Sequence, residues 1–190
     1  VVDVKEGQRL LDVAIHEAGH VVATMMRGGI VGNVNLDPGM TYVQHRPVRR
    51  FRYRNGGRVA VSEAEVEADE ARYRDDDAFV SYGGPWATAR NRWTEDGPMD
   101  IEYVDSLTDK HEGDYLVYAD IPAETLAQWS AELERQWPVI KTAASKLYLA
   151  HVDSLRRSRE RAQIKALRRN LKRRRSKSLR RLDISPTFES

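Results

Sequence analysis

His16 and His20 stand four residues apart, with Glu17 beside the first, in the run His16-Glu17-Ala18-Gly19-His20. Positions four apart share one face of a helix, so both imidazoles can reach a single cation. Neutral imidazole suits zinc, and a carboxylate next to the first ligand can act as a base without entering the coordination sphere. The chemistry implied is metal-assisted amide hydrolysis. Zinc polarises the scissile carbonyl, a metal-bound water attacks, and Glu17 carries the proton to the leaving amine. The chain has no cysteine, so any metal must be held by nitrogen and oxygen.

These residues need a helix to hold them. Leu11, Ala14, Ile15, Ala18, Val22, Met25 and Met26 recur at three- and four-residue steps, which predicts a mostly buried helix over residues 6–27. Gly28-Gly29 is a good stop, because glycine takes the left-handed position after a helix at little cost. Gly19 inside the helix costs about 1 kcal/mol relative to alanine. Close approach of another backbone would account for it. Two histidines on an ordinary helix are the plainer alternative, but burying His, Glu and His together without a metal leaves polar groups needing other partners. Ala23 and Met26 stand where an extended HExxHxxGxxH motif would have Gly and His, so the third ligand must come from farther along.

Residues 30–36 read as a strand ending at the turn Asp37-Pro38-Gly39, and residues 41–45 as a second, short strand. That second strand is a candidate edge for a substrate to pair with, or an ordinary sheet edge. Residues 46–58, rich in Arg and containing Gly56-Gly57, read as an exposed hairpin or loop. Ser62 followed by Glu65 is a capping-box pattern that starts an acidic helix. A further helical stretch spans residues 76–93, where Gly83-Gly84-Pro85 either interrupts it or sets a close contact. Another helix begins near Asp114. Pro122-Ala123-Glu124 opens a long amphipathic helix through Leu126, Trp129, Leu133, Trp137, Ile140, Ala144 and Leu147, with Pro138 as a kink or restart. The two tryptophans share a face and are expected in the core.

The stretch from Ala14 through His16-Glu17-Ala18-Gly19-His20 to Ala23 resembles the zinc helix of the FtsH-like, or M41, metallopeptidases. Tyr82-Gly83-Gly84-Pro85-Trp86-Ala87-Thr88-Ala89 resembles that family's later small-residue helix. Glu112-Gly113-Asp114-Tyr115-Leu116 is similar to the segment whose aspartate completes its zinc site. The resemblance covers roughly residues 6–150. It implies His16, His20 and Asp114 as zinc ligands and Glu17 as general base. Glu112, Asp109 and His111 are the nearby competitors for the third position; His45 and His151 are read as non-ligands. Asp12 is one carboxylate that could orient a ligand imidazole. The family usually carries an ATP-driven unfoldase and membrane helices, whereas these 190 residues contain no phosphate-binding loop and no membrane span. The expected substrate is therefore an unfolded or flexible polypeptide, and the expected location is cytoplasmic.

Hydrophobic residues make up 41% of the chain, enough for one core. The expected fold is α+β and mainly α-helical: a zincin-like peptidase domain over residues 1–150, with a small β-element after the zinc helix, then a basic C-terminal helix or tail over residues 151–190. The net charge of +2 hides an asymmetry. Between Arg156 and Arg181, 14 residues are Lys or Arg and only Glu160 is acidic, while residues 1–155 hold 17 basic and 26 acidic residues. The tail can attract nucleic acid or another acidic surface, or remain a solvated extension. Two further readings follow: a catalytically silent, metal-stabilised module, or a nucleic-acid-binding protein acting through the tail.

Overall fold

A computed structural model describes residues 4–32, 34, 36, 43–44, 51–54, 57–95, 97, 99–107 and 112–182. The chain is mainly helical. In order it forms α1 (Val4–Met26), β1 (Ile30–Val31), β2 (Val43–Gln44), β3 (Phe51–Arg54), β4 (Gly57–Ala60), α2 (Glu63–Arg92), α3 (Ile101–Ser106), α4 (Glu112–Tyr118) and α5 (Ala123–Leu182). Its internal contacts divide it into two units, residues 1–149 and 150–190.

The first unit is built on the crossing of α1 and α2. Ala14, Ile15, Ala18, Val22 and Ala23 form the buried stripe of α1. They meet Phe79, Tyr82, Trp86 and Ala87 of α2, and Leu126, Trp129, Leu133 and Ile140 of α5 complete the core. Phe79 and Trp129 meet edge to face at 5.4 Å, and Trp86 and Trp137 at 6.1 Å. Arg27 fastens the three helices. Its Nη1 donates to Glu132 at 2.9 Å, Asp76 lies 3.8 Å from its Nε, and its guanidinium lies 3.7 Å from the Phe79 ring centre. Arg90 grips Glu134 through two hydrogen bonds of 2.8 and 3.1 Å.

Helix α1 ends as its glycines predict. Gly28 has φ of +71°, its N–H bonds to Met25 at 3.0 Å, and the Gly29 N–H bonds to Thr24 at 2.9 Å. Met25 is not core: near the helix end it is 63% exposed. Of the strand expected over residues 30–36, the described residues form Ile30–Val31, paired antiparallel with Val43–Gln44. The turn at residues 37–39 lies outside the described residues. Phe51–Arg54 and Gly57–Ala60 pair antiparallel, with Phe51 opposite Ala60.

Residues 63–92 are one helix rather than two. Ser62 caps it, accepting from Glu65 N–H while the Glu65 carboxylate accepts from Ser62 N–H. Pro85 sits inside and supplies no N–H to the ladder. Tyr82, Pro85 and Trp86 are buried there, and the helix continues through that loss. Pro138 likewise lies inside α5 without ending it.

The second unit is helical up to Leu182. Every residue from Arg156 to Arg169 is exposed. No described helix is long and apolar enough to cross a membrane.

Candidate metal centre

Two pairs of small residues let α1 and α2 approach closely enough to build a site. A β-carbon on Gly19 would collide with the Gly83 carbonyl and sit 2.8 Å from Ala87 Cβ. A β-carbon on Gly83 would meet Ala23 Cβ at 2.8 Å. This is the close backbone approach that Gly19 called for. Gly84 then leaves room for the two imidazoles: a β-carbon there would run into His20 Nε2 and lie 2.8 Å from His16 Cε1.

His16 and His20 project from α1 towards Val80, Gly84 and Thr88, which follow at four-residue steps along one face of α2. The Thr88 hydroxyl donates to the Gly84 carbonyl at 3.2 Å, so its lone pair faces His16 Nδ1, also at 3.2 Å. His16 Nδ1 therefore carries the proton and donates. His20 Nδ1 lies 2.7 Å from the Val80 carbonyl, which can only accept, so it too carries its proton. In neutral rings this leaves a bare lone pair on each Nε2.

Those lone pairs point at each other and at a carboxylate. The two Nε2 atoms lie 3.0 Å apart, and Asp114 Oδ2 lies 3.2 Å from the first and 3.4 Å from the second. Three acceptors at such distances repel unless a positive charge sits among them. A proton on an imidazole meets that need in part, and a metal ion meets it fully. Among the described residues, His16, His20 and Asp114 form the one group of ligand side chains that could hold a metal ion.

Asp114 reaches the site because α4 docks on α2. Tyr118, one turn further on, is 1% exposed and meets Tyr82 edge to face at 5.2 Å. Tyr115 packs on Tyr118 at 5.5 Å. The Tyr82 hydroxyl shares a 2.7 Å hydrogen bond with Ser130 on α5. Burial pushes the Tyr82 phenol up to about 12, and burial pushes Tyr118 up further, so both stay neutral.

The electrostatics match the geometry. Burial works against a charged His20, yet the Asp114 carboxylate, the Val80 carbonyl and the Glu17 charge outweigh it and raise its proton affinity. Burial likewise works against ionised Asp114, but the two histidines bring it well below the usual carboxylate range. Glu17 is half-buried and close enough for its charge to act on His20, without belonging to the ligand group.

His16, His20 and Asp114 thus come together, with Glu17 alongside. Asp109, His111 and His45 lie outside the described residues, as does the Glu112 side chain. Asp12 does not serve as the supporting carboxylate; it pairs with Arg92 at 3.3 Å. Thr88 and the Val80 carbonyl orient the imidazoles instead, and sequence reasoning missed both. Their four-residue spacing around Gly84 was the available clue. Comparison with protein-family models, with curated proteins and with solved structures gives no match to this chain.

Proposed function

We propose that this chain is a zinc-dependent metalloendopeptidase with a zincin-like domain, akin to the FtsH-like peptidases. The observation that carries the proposal is the convergence of two imidazole Nε2 atoms and one carboxylate oxygen, spaced 3.0, 3.2 and 3.4 Å apart. Ligands about 2.05 Å from a tetrahedral zinc are separated by roughly 3.3 Å, so the spacing fits the ion. The donor set fits as well: two imidazoles and one carboxylate, with no thiolate, leave a fourth position for substrate or water. When bound, zinc supplies Lewis acidity towards a carbonyl and lowers the pKa of water.

The chain's own residues supply the rest. Thr88 and Val80 fix which nitrogen of each ring faces the centre, and the Gly84 hollow sets the ring positions. Glu17, beside the first ligand, accepts a proton from the attacking water at its carboxylate and returns it to the leaving amine nitrogen. One C–N bond breaks, and the elements of water are added across it. The ligand side chains are mostly buried, at 11%, 12% and 29% exposure. A thin extended segment can reach them where a folded surface cannot. We therefore assign flexible or unfolded polypeptide as substrate.

The test combines metal analysis with proteolysis. The purified chain should bind about one zinc ion and cleave unfolded casein, and Glu17→Gln should keep the metal and lose cleavage. Zinc without cleavage would leave a metal-stabilised module and sink the peptidase claim. Equal cleavage by Glu17→Gln would remove Glu17 as the base.

A further inference from the structure

In the second unit a helix stands in water with positive charge around most of its circumference. Arg157, Arg161, Lys165 and Arg169 succeed one another at four-residue steps. Like charges at that spacing destabilise an isolated helix. At about 100° per residue, the seven Lys and Arg residues from Arg156 to Arg169 cover roughly 260° of the surface. Glu160, Ile164 and Leu167 share the remaining arc, with Ile164 50% and Leu167 62% exposed. Seven more Lys and Arg residues follow by Arg181.

We infer that this helix is a docking element for B-form duplex DNA, bound through its phosphates without regard to sequence. Three observations favour that occupant over a membrane, RNA or a single strand. A flat anionic bilayer meets one face of a helix and would leave much of a 260° basic arc unneutralised, whereas a groove presents phosphates on both flanks. The major groove of B-form DNA is about 12 Å wide and a helix with side chains about 10–12 Å across, while the A-form major groove is too narrow. Between His151 and Leu182 there is no aromatic residue on which unpaired bases could stack. Neutralising the helix with phosphates also removes the like-charge repulsion along it and releases counterions.

The experiment is fluorescence anisotropy of a labelled random-sequence duplex of about 30 base pairs, titrated with the full chain over about 50–200 mM salt. Affinity should fall steeply with salt. The combined variant Arg157→Ala, Arg161→Ala, Lys165→Ala and Arg169→Ala should bind more weakly at every salt concentration. Its log–log salt slope should be shallower by up to about 0.9 per contact removed. Alanine favours helix, so circular dichroism should be unchanged. A variant with Arg157→Lys, Arg161→Lys and Arg169→Lys should keep both affinity and slope. Metal-stripped protein should bind as well as loaded protein, which separates this site from the metal centre. Salt-independent binding, an alanine variant equal to the parent, or tighter binding to the single strand or to phosphatidylserine vesicles would each overturn the inference.

Discussion

The Cα of Gly84 lies so near the edge of the His20 ring that a β-carbon would stand 2.6 Å from His20 Cε1 and collide with Nε2. The same β-carbon would lie 2.8 Å from His16 Cε1. Both rings are already fixed at Nδ1, so neither can swing clear without giving up a hydrogen bond. Gly84→Ala should fold, because alanine suits a helix, yet bind zinc at least about tenfold more weakly. Competition against a chromogenic chelator measures this. Parental affinity would mean that the hollow over Gly84 does not set the ligand geometry.

Thr88→Val keeps the shape of the side chain and removes the oxygen that accepts from His16 Nδ1. Loss of such a partner typically costs about 10- to 100-fold in metal affinity. Thr88→Ser should recover most of it. If valine leaves zinc affinity untouched, the proton is not held on His16 Nδ1.

Without metal, the centre should make stability depend on pH in a defined direction. Asp114 titrates below its ordinary value of 3.8, so its contribution is present above that value and disappears as the pH drops through the folded one. His20 titrates above its ordinary value of 6.5, so its contribution is complete below 6.5 and disappears as the pH rises through the folded one. Both act together between about 4 and 6.5, and the chelated protein should have its highest Tm there. With zinc the trend should reverse on the alkaline side, since metal binding requires neutral imidazoles. Thermal unfolding from about pH 5 to about pH 8, with chelator and with zinc, tests the alkaline limb in both states. A chelated Tm that climbs through neutrality would contradict the imidazolium–carboxylate pairing.

Gly19→Ala should destabilise the metal-free protein by about 1–3 kcal/mol, because the new methyl meets the Gly83 backbone rather than a movable side chain. Gly113→Ala serves as the control. A β-carbon there has open space around it, so the change should be neutral or stabilising. Urea unfolding of the two variants should separate them clearly; equal midpoints would mean that the helix crossing is looser than the geometry implies.

The candidate ligand pair on α1 was legible because everything it needs is local. A four-residue step brings His16 and His20 together, and the pattern of small and apolar neighbours marks the buried face. Asp114 was reached through family resemblance, since no periodicity links a residue on α4 to a face of α1. The single helix α2 was obscured by Gly83-Gly84-Pro85. Locally that tripeptide is a breaker; in the fold its two glycines admit α1 and the imidazoles, and Pro85 is buried among core residues that offset the missing hydrogen bond. Thr88 and Val80 were invisible for a related reason. One contributes an ordinary helical hydroxyl and the other only its backbone, and neither advertises a role until the helices cross.

The three candidate ligands depend on different amounts of the fold. One turn of α1 is enough to set His16 and His20 face to face, whereas the place of Asp114 rests on α2 crossing α1 and on α4 seating Tyr115 and Tyr118. Helix α1 by itself would offer an ion two handholds but not the third. Under the peptidase reading, cutting power thus depends on the assembly of the whole first unit and not on the zinc helix alone.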